Sequence, residues 1–335
     1  MHFSVLHTST PEMVRPLSLA QHTLYADLLE QGTDDLFDPE MPENGSILVR
    51  PSRAGAQASH GYYQGYRPAA GKADRGERYA RYLGLAKDPA VAARIAQFQR
   101  VKAVRAERAT TVRALIAAEM PRPDRITGRI IEALARAGLF AGDAVLLGHA
   151  AYQTYDGVLG VRLSKSAKTA TNDRPTVEIA IRDRDRLEDI RDALHTVDPS
   201  FARQTQAEVT YCSRSGIQVV ATIVEPTDAT SGLAGFLIAR TVHAVVLHGP
   251  GIPVTVSAPE RKAVFSLLKA LSCGVQPKPT RCADEVRPLV DAVRAVHRDH
   301  ALAEALTDAS ARDPQWSEPL RNGIDAAIRA VNGAD

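Results

Sequence analysis

Leu17, Leu19, Leu24, Leu28 and Leu29 recur at helical spacing in LSLAQHTLYADLLEQ, which predicts a helix over 17–31. Gly32 and the acidic, proline-containing run to Gly45 predict a loop. Three short strands follow at 46–51, 61–67 and 78–84, separated by Gly- and Ala-rich turns. From 89 to 120 the period returns to that of a helix. Ile95, Phe98, Val101 and Val104 line one face, and Arg94, Arg100, Lys102, Arg105, Arg108 and Arg113 cover much of the rest. Pro121 and Pro123 end this run, and Asp124 is placed to cap a helix over 124–138. Strands are predicted near 143–147, 176–182, 207–212, 216–224, 242–247 and 252–256, with helices near 149–157 and 185–195. After Pro259 the pattern is helical over 260–272, 284–304 and 316–332, with QPKPT at 276–280 as a loop. The order predicts an α/β (α+β) protein of three domains. They are 1–120 (a helix, a small three-stranded basic module and a long helix), 121–257 (a mixed-sheet core) and 258–335 (helical).

Composition narrows the class. With 44% hydrophobic and 24% charged residues in 335, the chain reads as an ordinary globular protein, too long for one core of typical size. No apolar run approaches the ~18 residues of a membrane span, and the N-terminus lacks a signal-peptide pattern. Cys212, Cys273 and Cys282 have no metal-ligand spacing and cannot form a closed disulfide set, so a reduced, cytoplasmic setting is expected.

Net charge is only +2, yet it is unevenly spread. Residues 1–49 hold one basic against eight acidic residues, a balance of −7, and 50–119 hold fourteen against five, a balance of +9. Two readings follow: an anionic partner for the middle segment, or mutual neutralisation of the two segments within one domain. In the small module Tyr62, Tyr63, Tyr66, Tyr79 and Tyr82 alternate with Arg67, Lys72, Arg75, Arg78 and Arg81. Cations neutralise phosphates and rings stack on bases, so Tyr63, Tyr66, Lys72, Arg75, Arg78 and Arg81 are candidate contacts to RNA or DNA. Alternatively, the tyrosines form the module's own core. The basic helix could equally dock on a second copy of the chain, a homo-oligomer.

The densest motif is VLLGHAAYQTYDGVLGVRL at 145–163, followed by TVEIAI at 176–181. A glycine directly after an apolar strand permits close backbone approach by a phosphate, and the helix after it aims its N-terminus at the anion. This block resembles a bacterial family of nucleotidyltransferase-fold proteins that read roughly LVGTHAF-x-x-Y-x-x-x-LGVR … TQDVDLA. The match runs through Leu147, Gly148, Ala151, Tyr152, Tyr155, Leu159, Gly160, Val161 and Arg162. Tyr62–Tyr63, Gly71–Lys72 and Arg81–Tyr82–Leu83–Gly84 resemble the family's N-terminal pattern, and VSAPERKAVFSLL at 256–268 resembles its PAPERFAxHKL. The resemblance implies a nucleotidyltransferase-like mixed sheet that binds NTP through Gly148, His149, Arg162 and Lys165, with Mg²⁺ or Mn²⁺.

The departures bear on activity. Metal-dependent nucleotidyl transfer needs two or three carboxylates on adjacent strands. Aligning TVEIA with the family's acidic pair puts Thr176 at the first place and Glu178 at the second. ATIVEP at 221–226 puts Thr222 at the third, and the family's His-Lys appears as Phe265–Ser266. In a second register Asp173 and Glu178 form the catalytic and metal-binding pair with Glu225 as a further ligand, but Pro175 breaks the strand between them. The first register is favoured, in which Glu178 faces the cleft beside Thr176. The chain thus reads as a divergent transferase acting on an RNA end or a protein hydroxyl. The alternative is a catalytically inactive relative, needing neither metal nor NTP, that binds nucleic acid or assembles with partners. His297 and His300 are taken as one solvated helix face.

Overall fold

The computed structural model describes residues 14–31, 37–38, 40–52, 58–66, 77–163, 175–204, 209–224, 232–272, 281–312 and 315–316. The candidates Lys72, Arg75, Lys165, Asp173 and Glu225 lie outside these residues. The chain divides into two compact units. The larger is built from residues 1–31 and 112–335, and the smaller from 32–111.

The larger unit opens with β1 (Arg15–Pro16) and α1 (Leu19–Glu30). Ser18 starts α1 with a capping box: its hydroxyl accepts from the Gln21 amide while the Gln21 side chain returns to the Ser18 amide. Tyr25 of α1 is buried, and its hydroxyl accepts from the Val245 amide at 2.9 Å across 220 residues of sequence.

The smaller unit is a three-stranded antiparallel sheet of β2 (Ser46–Pro51), β3 (Ser59–Tyr66) and β4 (Arg78–Leu85), in the order β2-β3-β4. It is followed by α2 (Pro89–Ala117), whose residues from 112 belong to the larger unit. Met41, Tyr63 and Phe98 form its core, with Phe37, Ile47, Tyr79 and Leu83 packed against them. Of the face the periodicity predicts, Phe98 and Val101 are buried and Ile95 and Val104 half-buried, while Arg108, expected among the covering cations, is buried. Its cations meet the acidic loop: Arg94 pairs with Asp38 and Glu40, Arg105 makes a two-pronged contact to Glu43, and Lys102 donates to the Gly45 carbonyl. Asp38, Glu40 and Glu43 of the acidic segment are thus paired with Arg94, Arg81 and Arg105 of the basic one inside this unit.

The larger unit continues with α3 (Arg125–Arg136), β5 (Ala144–Leu147), α4 (Gly148–Tyr152), α5 (Tyr155–Leu159), β6 (Val161–Arg162) and β7 (Thr176–Ile181). Then come α6 (Leu187–Val197), β8 (Ala202–Gln204), β9 (Val209–Cys212), β10 (Gln218–Ile223) and α7 (Gly232–Ile238). β11 (Thr241–Val246) and β12 (Ile252–Ser257) follow, then α8 (Pro259–Ser272), α9 (Arg281–Ala295) and α10 (Asp299–Arg312). Asp124 caps α3 as its position predicts, accepting from the Ile126 and Thr127 amides.

The main sheet has the order β11-β12-β5-β7-β10-β9-β8 and is mixed: β12–β5 and β7–β10 run parallel, and the other pairs antiparallel. This is the mixed α+β architecture the pattern predicts. One face buries Leu146, Val177, Ile179 and Val219 in the cluster that holds Ile130, Ile131 and Leu134 of α3. The other carries Val145, Leu147 and Ala180 under Leu237 and Ile238 of α7, with Phe265 of α8 against them.

Several elements differ from expectation. The helix expected over 149–157 is two short helices, α4 and α5. The one expected over 284–304 breaks into α9 and α10 at His297, whose φ of 59° is left-handed backbone. His297 and His300 therefore do not share one helical face. Helix α7 and edge strand β8 are not among the expected elements. Among the described residues, no helix is long and apolar enough to cross a membrane.

Candidate functional site

The site begins where β5 ends. Leu147 is paired antiparallel with Glu178 of β7, so both side chains leave the sheet on the α7 face. Gly148 follows with φ 65°, and a Cβ built there would lie 2.9 Å from the Glu178 carboxylate carbon. Glycine is thus required twice, by its backbone and by the side chain of Glu178 pressed against it. The two candidates come together as neighbours, with the acid occupying the space beside the glycine. Helix α4 has only five residues, too few to build much of a dipole toward an anion.

Around this pair Leu146, Ala151, Tyr155, Leu237, Ser257, Lys262 and Phe265 complete a small cleft. The space left in it is about 20 Å³, room for roughly one water. Lys262 is buried, and its Nζ lies 3.1 Å from Glu285 Oε2, itself buried. The other oxygen of Glu285 meets His149 Nδ1 at 3.0 Å. One carboxylate thus ties α4, α8 and α9 together. Burial pushes the Glu285 carboxyl up, but Lys262 and then His149 outweigh it and hold the group below its ordinary value. Asp156, one turn beyond α4, has no such partner at hand. Burial pushes it up to about 6 despite a bond from the Leu163 amide and the charge of Arg162.

His149 is therefore engaged with Glu285, and Arg162 is committed elsewhere. The Arg162 guanidinium donates to the carbonyls of Ala118 and Glu119 at the end of α2, and it does not line the cleft. Arg182 donates to the carbonyls of Gly142 and Ile238. Neither arginine pairs with Glu178, which has no ion-pair partner among the described residues.

The three places expected to hold metal carboxylates can be located by strand register. Gln218 pairs with Thr176, Val220 with Glu178 and Thr222 with Ala180. Alternation then puts residues 176, 178 and 222 on one face of adjacent strands. A divalent pair needs several carboxylate oxygens there, whereas two of the three places carry threonine. Among the described residues, no group of three His, Cys, Asp or Glu side chains could hold a metal ion. The described residues on this face do not fit a two-metal centre.

In the smaller unit the expected nucleic-acid contacts separate by strand parity. Tyr63 is fully buried and its hydroxyl donates to the Pro42 carbonyl, so it is a core residue and offers no face to a base. Tyr66 is exposed, Arg78 bonds Gln64, and Arg81 pairs with Glu40 at 3.1 Å.

Residues 125–220 match the model of a nucleotidyltransferase family. That segment runs from α3 into β10 and includes Gly148 and Glu178. It is less than a third of the chain. A solved structure, an antigenic nucleotidyltransferase-like protein from Paracoccidioides brasiliensis, shares 14% identity over 61% of this chain and 96% of its own, with a TM-score of 0.33. That likeness is too slight to bear on the fold. No curated protein matches the chain.

Lys262, Glu285 and the pairing of His149 carry no sequence signal that joins them. Lys262 stands in the PERK stretch of 259–262, but the resemblance there draws attention to Phe265 and Ser266 further along. Glu285 lies beyond the 276–280 loop, with no sequence feature linking it to Gly148.

Proposed function

We propose that the larger unit is a degenerate member of the bacterial nucleotidyltransferase-fold family that serves as a binding or assembly module and has lost two-metal nucleotidyl transfer. What supports this reading is the sheet face where residues 176, 178 and 222 lie together. Only Glu178 supplies a carboxylate, and it fills the space beside Gly148 that a phosphate would need. A lone carboxylate leaves most of a divalent ion's oxygen shell to water and gives the leaving pyrophosphate little neutralisation. The full chain, incubated with each α-labelled NTP and Mg²⁺ or Mn²⁺, should transfer no label to itself or to RNA above the level of its Glu178→Gln variant. Label transfer that Glu178→Gln abolishes would sink the reading.

A second reading, retained transfer from NTP, draws on the family match over 125–220 and on the contact between Glu178 and Gly148. It requires Asp173 to join Glu178 as metal ligand and Lys165 to meet the phosphates. Titration calorimetry with the four NTPs separates the two: metal-dependent heat that disappears in Asp173→Asn favours this second reading.

A further inference from the structure

We infer that the open face of the β2-β3-β4 sheet is a stacking platform for single-stranded nucleic acid, formed by His60, Tyr62, Tyr66 and Tyr82 with Arg50 and Arg78. This binding does not depend on the state of the Gly148 cleft.

The pairing register builds the platform. Arg50 stands opposite His60, Tyr62 opposite Tyr82, and Tyr66 opposite Arg78. Strand alternation sends Tyr63 inward and its neighbour Tyr62 outward. The inward side already has its aromatic core in Tyr63, Tyr79 and Phe98. The outward rings are therefore not needed to close the fold. Tyr82 is 53% exposed and Tyr66 38%, an unfavourable use of large apolar rings unless something covers them.

The rings are also held in place. Tyr82 lies 5.4 Å from Tyr62 and 5.6 Å from His60 between centroids, and its hydroxyl meets His60 Nδ1 at 2.9 Å. Four residues along a strand separate Tyr62 from Tyr66, about 13 Å, a span that presents more than one base-sized surface.

Charge selects the occupant. Among the described residues, the charged side chains that the strand register puts on this face are Arg50 and Arg78, both basic. Of the unit's acidic groups, Asp38, Glu40 and Glu43 are occupied with Arg94, Arg81 and Arg105. Cations beside exposed rings fit a polyanion with accessible π-faces. A duplex hides its base faces, so the fit is to a single strand.

The test is fluorescence anisotropy of the full chain with labelled oligouridine and oligodeoxythymidine of about 20 nucleotides, above the roughly 4–16 that a single OB fold covers. Wild type should bind, and affinity should fall as salt rises. Tyr62→Ala with Tyr82→Ala should weaken binding at least about tenfold at an unchanged salt slope, while the Phe pair should retain it. Arg50→Ala with Arg78→Ala should instead flatten the salt slope, by about 0.7 for each phosphate no longer neutralised. The Phe pair, and circular dichroism of every variant, separate loss of stacking from loss of fold. Absence of binding by wild type would overturn the proposal, as would wild-type affinity in the Ala pair or equal affinity for a duplex of the same sequence. Self-association that Tyr82→Ala abolishes, without oligonucleotide binding, would assign the face to a second copy of the chain instead.

Discussion

Replacing Glu285 with Gln removes one charge from the buried Lys262–Glu285 pair while keeping the shape of the side chain. The two atoms are 3.1 Å apart, and both side chains are about 95% withdrawn from water. Unit charges at that distance attract by about 5 kcal/mol at an effective dielectric constant of about 20. Breaking a buried pair from one side typically costs about 3–5 kcal/mol, because the remaining charge is left uncompensated. We therefore expect Glu285→Gln to destabilise the larger unit by about 3–5 kcal/mol. Trp316 is the single tryptophan of the chain and sits edge-on to Phe236, so its fluorescence in a urea titration reports this unit selectively. Adding Lys262→Met should return stability to within about 1–2 kcal/mol of wild type, since an apolar replacement removes the stranded charge. The pH dependence has a fixed sign. The folded carboxyl sits below its ordinary value of 4.5, so its contribution is present above that pH and is lost as pH falls through the lower folded value. The gap between wild type and variant should close on acidification. A loss under about 1 kcal/mol at neutral pH, or a gap that stays constant into acid, would refute the reasoning.

Two further outcomes are expected in the larger unit. Burial raises Asp156 from 3.8 to about 6, a difference worth about 3 kcal/mol. Folded-state stability tied to its neutral form is present below about pH 4 and lost as pH rises to about 6, so Asp156→Asn should gain on wild type across that interval. Parallel stability curves of the two proteins from mildly acidic to neutral pH would contradict it. Gly148→Ala should cost about 1–2 kcal/mol through its left-handed backbone and push the Glu178 side chain off the new methyl. Glu178→Ala in the same background should relieve the crowding but not the backbone share, and a loss below about 0.5 kcal/mol by denaturant titration would argue against both.

How much of this could be read beforehand depends on the range of each interaction. The Asp124 cap and the apolar strand before Gly148 are local, set by residues within a turn of one another, and they stand where the pattern placed them. The tyrosines of the small sheet show the limit of a period-two pattern. Alternation dictates that Tyr62 and Tyr63 face opposite ways, but with rings on both parities it does not say which side is the core. Phe98 of a later helix decides that. The break at His297 was hidden because a left-handed non-glycine residue leaves little compositional mark. The Lys262–Glu285–His149 link is longer in range, since three helices must pack before one carboxylate can reach both partners. Gly148 was legible as a position that needs glycine. Its neighbour there depends on the pairing of Leu147 with Glu178, a register that no local signal fixes.

The interruption of the larger unit by residues 32–111 has a consequence for synthesis. The smaller unit is one continuous stretch, and it can close as soon as its last strand and helix have left the ribosome. Helix α1 emerges earlier, yet the amide that its Tyr25 hydroxyl caps is encoded 220 residues later. Its partner β11 appears only after most of the main sheet has been made. Helix α1 is thus made early yet docks late, and until then its apolar stripe of Leu24, Leu28 and Leu29 is a surface that nascent-chain chaperones would meet.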